Sequence, residues 1–250
     1  MIQVLDRAFE VLEYLATADG NMASLSQIET ACGIQKTTLS NILKTMETAG
    51  YIAHPQKRKG YKLGYKFYLL AGPQYAFKKI EQIAGEELRL LHDISQETVV
   101  LAAEQNGKRI ILKVLECNEG ISARISHSSD IYQSATGRVI LAHYPENRIH
   151  SIVSSTGLPE PAFWHGIASE DDLLRELARI REEGFSVSSD HPDVKGIAVP
   201  ILVGKVPVAS IGICLPKFRS TEGKIALIKS ILGECALSLE KKIMEADFAE

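Results

Sequence analysis

The sequence predicts an α+β protein: a basic helical end, one longer connecting helix, and a body of antiparallel strands with helices grouped around it. Three observations carry that prediction. Apolar residues recur at helical spacing three times before Gly50; two pairs of β-rich runs turn at Asn106-Gly107 and at Gly204-Lys205; and charge is uneven along the chain. Between Gln35 and Lys66 seven Lys or Arg stand against a single acid, Glu47, although the whole chain has a formal net charge of -3. A basic region attached to an acidic body implies two jobs in one chain.

The bulk composition sets the bounds. With 250 residues, 45% of them hydrophobic, the chain can bury one large or two ordinary cores without staples. Its four cysteines, Cys32, Cys117, Cys214 and Cys235, form no C-x-x-C pair, which argues against a disulfide framework or a zinc ribbon. The opening VLDRAFEVLEYL has no basic segment followed by an apolar run and cleavage site, and nowhere do about eighteen apolar residues run together. The expectation is a cytoplasmic protein with no membrane partner.

Taken in order, the first helix places Ala8, Val11, Leu12 and Leu15 on one face and ends at Asp19-Gly20. A second begins at Ser24, where Ser-x-x-Gln has the form of a capping box, turns Leu25, Ile28 and Cys32 inward and stops at Gly33. A third follows almost at once. In IQKTTLSNILKTMETAGYI the apolar stripe Leu39, Ile42, Leu43 and Met46 leaves Lys36, Thr37, Thr38, Ser40, Asn41 and Lys44 on the other faces. Two short helices joined by a Gly-containing turn make a helix-turn-helix pattern. Hydroxyls and an amide suit base edges and lysines suit phosphates, so this helix is the candidate DNA reader. Next, HPQKRKGYKLGYK reads as a basic hairpin wing, with Lys57, Arg58, Lys59 and Lys62 as phosphate contacts.

Gly72-Pro73 marks a boundary, since Pro begins a helix but does not continue one. The helix beyond it carries Phe77, Ile80, Ala84, Leu88 and Leu91 near heptad spacing, which fits either a subunit seam or packing on its own domain. TVVLAAEQNGKRIILKVLE is a hairpin turning at Asn106-Gly107. IAVPILVGKVPVASIGICL is a second, with Pro200 and Pro207 at edge or bulge positions. GRVILAHY and SEDDLLRELARIREEG are helical, the latter capped by Ser169 and closed by Gly184. A last helix runs through Ile225, Ile228, Leu232, Cys235 and Leu239.

Taken as an ordered set, VLDRAFEVLEYL, SLSQIETACGIQKTTLSNILKTMETAGYI, GYKLGYKFYLLA, SATGRVILA and GFSVSSDHPDVKGIAVPILV resemble the IclR-type bacterial transcription regulators over nearly the whole chain. The resemblance implies a winged helix-turn-helix over residues 1–72, a linker helix over 73–95 and a GAF- or profilin-like effector-binding domain over 96–250. It also implies an effector cavity lined by Ala135, Thr136, Ser186, Val194, Gly196, Gly212 and Cys214. Family members commonly carry Arg where this chain has Asn41. Many also place an acid near Ser189, a Cys at Gly196 and hydroxyls at Gly212 and Cys214, so the cavity here is expected to be less polar and roomier. Arg124, in the alternating ISARIS, is the candidate fork for a small carboxylic acid. A dimer, or a dimer of dimers, is expected because one recognition helix reads only a few base pairs.

Catalysis finds little support. G-x-S-x-G, H-E-x-x-H, a Walker loop and a dinucleotide glycine fingerprint are all missing. Asp190-His191 and His127 are the best places for a titrating site, and Cys117 with His127 matches no ligand spacing, so no metal and no cofactor are expected. The rival reading is a metabolic enzyme with an N-terminal helical interaction module.

Overall fold

The structure, a computed structural model, describes residues 2–18, 22–55, 60–67, 73–117, 128–189 and 192–246, without the side chains of 73–75 and 128. The chain forms two compact units, one of Met1–Lys79 with Lys242–Glu250 and one of Ile80–Lys241. Contact density therefore divides the chain differently from the ranges read in the sequence: the split falls inside the connecting helix, and the last residues return to the N-terminal unit.

In the N-terminal unit the three stripes become α1 (Gln3–Thr17), α2 (Leu25–Cys32) and α3 (Lys36–Thr48). Their apolar faces meet in one core, where Val11, Leu15, Ile28, Leu39, Leu43 and Ile52 are all but inaccessible. Ser24 closes the capping box: its Oγ accepts from the Gln27 N–H at 3.3 Å and the Gln27 Oε1 accepts from the Ser24 N–H at 2.8 Å. Gly33 sits at φ 64, a left-handed conformation that releases the chain from α2 straight into α3. The wing is a short antiparallel pair, β1 (Ile52–Ala53) with β2 (Lys62–Leu63). Asp19-Gly20 lies outside the described residues.

The larger unit contains a six-stranded antiparallel sheet flanked by helices. Its strands are β3 (Thr98–Gln105), β4 (Lys108–Leu115), β5 (Ser128–Asp130), β6 (Ser186–Ser188), β7 (Val194–Val203) and β8 (Val206–Pro216), in the order β5-β4-β3-β8-β7-β6. Both hairpins turn where the sequence placed them. Asn106 at φ 54 and Gly107 at φ 76 supply the two left-handed residues a two-residue turn needs. Gly204 has φ 66, and Pro207 faces Leu202 at the register shift that follows Ile201.

Alternation sorts the sheet residues onto two faces. Val99, Leu101, Ile197, Ile211, Ile213 and Leu215 point one way and are buried. The helix α4 (Pro73–Ser95) lies on that side, since Glu81 pairs with Lys113, the β4 residue opposite Leu101. The final helix α8 (Glu222–Glu245) is tied to α4 by the Ser238 hydroxyl donating to Glu87 at 3.1 Å. Ile80 and Leu88 are only 3% and 1% exposed in the single chain. Of the two readings of this stripe, the structure gives packing on the protein's own core; a seam through Ile80 and Leu88 is not available, and α4 instead exposes Leu90 and Ile94.

The opposite face is covered by α5 (Ala135–Ala142), which lies against β3, β7 and β8, with α7 (Glu170–Glu183) behind it. In sequence α6 (Glu146–Thr156), a helix the sequence reading did not name, comes between these two. Every residue of α5 is buried, Arg138 included. That guanidinium donates to the Tyr132 carbonyl at 2.7 Å and to the Phe163 carbonyl, and stacks on Trp164, so it is a packing element of the body. Ser169 and Asp172 form a second capping box at the start of α7, and Gly184 at φ 76 ends it.

Candidate nucleic-acid interface and effector site

Helix α3 separates its two kinds of residue by position alone. Leu39, Ile42, Leu43 and Met46 are buried, while Lys36, Thr37, Ser40, Asn41 and Lys44 are exposed and Thr38 is half-buried. Because i, i+3 and i+4 positions share a face, the four apolar residues fix the helix against α1 and α2 and leave the polar set on the outside. The Thr45 and Thr48 hydroxyls fold back onto the carbonyls of Asn41 and Lys44 at 2.8 and 2.9 Å. Two hydroxyls, an amide and two ammonium groups are thus presented on one exposed surface with the packing carried elsewhere.

The wing divides the expected phosphate contacts. Lys57, Arg58 and Lys59 lie outside the described residues. Lys62 departs from expectation: it is 4% exposed, and its ammonium donates to the carbonyls of Glu245 and Ala246 at 2.8 and 3.0 Å. These are orphan carbonyls at the end of α8, where a cation is favoured by both hydrogen bonding and the helix dipole. Lys62 is therefore a cap for the last helix and not a phosphate contact. The aromatic His54 and Tyr61 stack at 4.4 Å and hold the two wing strands face to face.

Among the residues expected to line an effector cavity, all except Arg124, which lies outside the described residues, fall on or beside the face of the sheet beneath α5. Strand register makes two rows. Ser188, Gly196, Cys214 and Thr98 form one; Ser186, Ala198, Gly212 and Val100 form the next. Helix α5 lies directly over them. A Cβ placed on Gly196 would come 2.9 Å from Ser188 Oγ and 3.6 Å from the Ala135 Cβ, and one on Gly212 would come 3.0 Å from the Thr136 Cγ2. Ala135, Thr136, Gly196, Gly212 and Cys214 are therefore neighbours in space. Val194, half-buried, starts β7 opposite Pro216.

The expectation of a roomier, less polar cavity needs correction. At Gly212 the missing side chain admits Thr136 and lets α5 approach the sheet; it does not leave space. Hydroxyls also remain plentiful: Thr136 pairs with Ser134 at 3.1 Å, and Ser186 is buried with its Oγ lacking a hydrogen-bond partner. Cys214 is half-buried, whereas Ile213 and Leu215, which point to the opposite face, have no exposed surface. Burial pushes its thiol up to about 11, against the opposing pull of Arg109, and the sulfur is protonated at neutral pH.

Arg109 escaped the sequence reading. It faces Glu104 on β3 and Ser129 on β5, is 4% exposed, and donates through Nε and Nη2 to Ser129 Oγ at 3.1 and 2.9 Å. Burial pulls its guanidinium down from the usual range, with Cys214 close enough to oppose that shift. A signal was available: counting outward from Asn106-Gly107 puts Arg109 opposite Glu104, on the same side as Ala102. Glu104 itself is consumed by the Tyr144 hydroxyl at 2.7 Å and by Arg148. Of the expected titrating sites, His127, Asp190 and His191 lie outside the described residues. Cys117 is buried beside the Gln96 carbonyl at 3.1 Å.

A three-helix unit with a two-stranded wing, carrying an exposed polar and basic helix and joined in one chain to a six-stranded sheet domain, defines a transcription regulator of the winged helix-turn-helix class. Family comparison agrees in both parts: residues 4–55 match the IclR helix-turn-helix domain and residues 76–241 match the bacterial transcriptional regulator IclR C-terminal domain. The chain belongs to the IclR family, a family of regulators and not of enzymes, which removes the metabolic-enzyme reading.

Similar proteins include the HTH-type transcriptional repressor AllR of Escherichia coli K12, 26% identical over 89% of this chain and 83% of its own length. The acetate operon repressor of Salmonella typhimurium is 23% identical over 94% of this chain and 88% of its own. Among solved structures, IclR of Thermotoga maritima aligns at a TM-score of 0.59 with 24% identity, over 97% of this chain and 99% of that one. An IclR homolog of Microbacterium hydrocarbonoxydans complexed with 4-hydroxybenzoate aligns at 0.57 with 23% identity, over 97% and 100%. These last two likenesses speak to fold. Among the described residues no helix is long and apolar enough to cross a membrane.

Proposed function

We propose that this chain acts in the cytoplasm as a dimer, or a dimer of dimers, that binds a two-fold operator through α3 and changes its DNA affinity when a small carboxylic acid enters the site beneath α5. The observation that carries the DNA half is the division of α3 into a buried apolar stripe and an exposed face of Lys36, Thr37, Ser40, Asn41 and Lys44. Ser40 and Asn41 offer paired donors and acceptors to base edges in the major groove, with Thr37 and Thr38 at the entering end of the helix. Lys36 and Lys44, with Lys57, Arg58 and Lys59 of the wing, neutralise phosphates on either side. Two copies are needed because a single recognition helix reads too few base pairs to single out one genomic site.

The effector half is supported by the two rows of mostly small residues under α5, with Ser186, Ser188 and Thr98 among them, and by the relative whose structure holds 4-hydroxybenzoate. Ala135, Thr136, Ser186, Val194, Gly196, Gly212 and Cys214 form its lining, and Arg124 supplies a fork from the adjoining segment. An effector shifts DNA affinity only by as much as its own affinity differs between the two arrangements of the chain.

The test is selection from random duplexes with the full chain, followed by titration of the recovered sequence and a scrambled one at fixed salt. The expected result is a two-fold-symmetric sequence bound at least about a thousandfold more tightly than the scrambled duplex, with sedimentation giving two chains, or four, per site. Recovery of no preferred sequence would overturn the DNA half of the proposal. One chain per site would overturn the dimer.

A further inference from the structure

We propose that the last two turns of α8 are a relay that couples the end of the β7–β8 hairpin to the wing, with Glu240 as its input and the Glu245 and Ala246 carbonyls, held by Lys62, as its output. The relay rests on the reading above only in that the wing flanks bound DNA.

The course of α8 makes such a relay possible. Helices α4 and α8 each belong to both compact units, the division falling between Lys79 and Ile80 in the first and between Lys241 and Lys242 in the second. Helix α8 is continuous from Glu222 to Glu245. Its backbone hydrogen bonds fix the rise at about 1.5 Å per residue, so no loop absorbs a displacement between its two parts.

The input lies where the sheet is irregular. Strands β7 and β8 shift register between Ile201 and Leu202, and Leu202 then faces Pro207, which has no N–H to offer. Here the Leu202 N–H donates to Glu240 Oε1 at 2.8 Å, tying the end of the hairpin to the helix. Two residues earlier, the Ser238 hydroxyl donates to Glu87 of α4 at 3.1 Å. These ties fasten α8 to the sheet and to the connecting helix just before it enters the N-terminal unit.

The output follows about 7.5 Å further along the helix axis. The last carbonyls of a helix have no partner within it, and helix ends fray for that reason. Those of Glu245 and Ala246 accept instead from Lys62 Nζ at 2.8 and 3.0 Å. Lys62 is the β2 residue paired with Ala53 of β1, so the group that holds the helix end is carried by the ladder of the wing itself. Ile243, one turn back, is 2% exposed and seats the same end in apolar contact. The helix end therefore has two arrangements. Docked, the ammonium is buried and the carbonyls are satisfied; undocked, both must find water, and the wing must open to admit it. Whatever favours one arrangement from the hairpin side favours it for the wing, and the bias is equal in the other direction.

The test follows amide hydrogen exchange of the full chain by mass spectrometry. Glu240→Ala removes the tie to Leu202 and leaves every residue of the wing in place. It should raise exchange in peptides spanning β1 and β2 at least about threefold, with the core of α1, α2 and α3 at wild-type rates. Glu240→Gln, which keeps an oxygen acceptor, should restore wild-type exchange. Lys62→Met should speed exchange in the wing by itself, and adding Glu240→Ala to it should bring no further rise. An unchanged wing in Glu240→Ala, the same rise in both backgrounds, or a rise shared by the core of α1, α2 and α3 would each overturn the relay. A second arm needs no change at Lys62 and decides the matter if Lys62→Met fails to fold. Binding of the selected duplex should slow exchange of the peptide containing Leu202 in wild type and not in Glu240→Ala. A bound duplex that leaves this peptide unchanged in wild type would overturn the relay. If wild type binds no duplex while its wing still answers to Glu240, the relay stands and the DNA reading of α3 falls.

Discussion

Helices α3 and α5 make opposite use of the same backbone. Of the thirteen residues of α3, four are buried and the working side chains point outward. All eight residues of α5 are buried, and the helix is held between the sheet on one side and α7 on the other. A helix that reads another molecule is specified by local spacing and tolerates change on its outer face. A helix packed on a sheet is specified by contacts with distant strands, and every position answers to a neighbour.

The largest difference should appear at Gly137. A Cβ there would lie 2.1 Å from the Ile131 carbonyl oxygen, a main-chain atom that has little room to retreat. Gly137→Ala should cost about 3 kcal/mol of stability in denaturant unfolding, whereas Ser40→Ala on the outer face of α3 should stay within about 0.5 kcal/mol. Equal tolerance at the two positions would break the comparison. Next in size is Lys62. Replacing it by Met removes two hydrogen bonds from a buried ammonium and should destabilise by about 2 kcal/mol, while the salt dependence of DNA binding stays that of the wild type. A flattened salt slope in Lys62→Met would return this residue to the DNA surface.

The same contrast explains what the sequence disclosed. The α+β class, the three N-terminal helices, the capping box at Ser24, the cap at Ser169 and the turns at Asn106-Gly107 and Gly204-Lys205 follow from patterns only a few residues long, and all are present. Helix α3 was legible residue by residue because a 3.6-residue period sorts buried from exposed without reference to the rest of the fold. Lys62 was misread because the atoms that bury it, the carbonyls of Glu245 and Ala246, lie some 180 positions away in sequence. Gly212 was misread for a similar reason: a missing side chain signals space only until it is known that Thr136 fills it. Arg109 was overlooked because a cation in a strand looks like a solvated surface residue until the register shows which way it points. The resemblance to a family supplied the remaining lining residues, which no local pattern marks.

Smaller effects sharpen the picture on each side. Lys44→Ala should lower the slope of log affinity against log salt by about 0.9, the share of one phosphate, and should weaken selected and scrambled duplexes alike. A loss confined to the selected duplex would assign Lys44 to base reading. The smallest effect concerns His143, just past α5. Burial lowers its imidazole below the usual value, with the Nδ1–H donating to the Val139 carbonyl at 2.9 Å and Arg181 nearby. Its folded form stays neutral while the unfolded chain takes up a proton, so its contribution is full above about pH 6.5 and is lost as pH falls from there through the depressed folded value. His143→Gln should therefore show a shallower loss of stability between neutral and mildly acidic pH. An unchanged pH slope would remove His143 as a cause.

Whether the exposed face of α3 reads bases is tested most directly at Asn41. It is exposed, carries none of the packing, and offers the donor and acceptor pair suited to a base edge. The measurement is a competition titration of wild type and Asn41→Ala against the selected duplex and a scrambled one at fixed salt, with circular dichroism to verify that both are folded. The predicted result is a loss of about 1 to 3 kcal/mol on the selected duplex and almost none on the scrambled one. If Asn41→Ala keeps the wild-type ratio of the two affinities, Asn41 does not read bases, and the outer face of α3 loses its central residue.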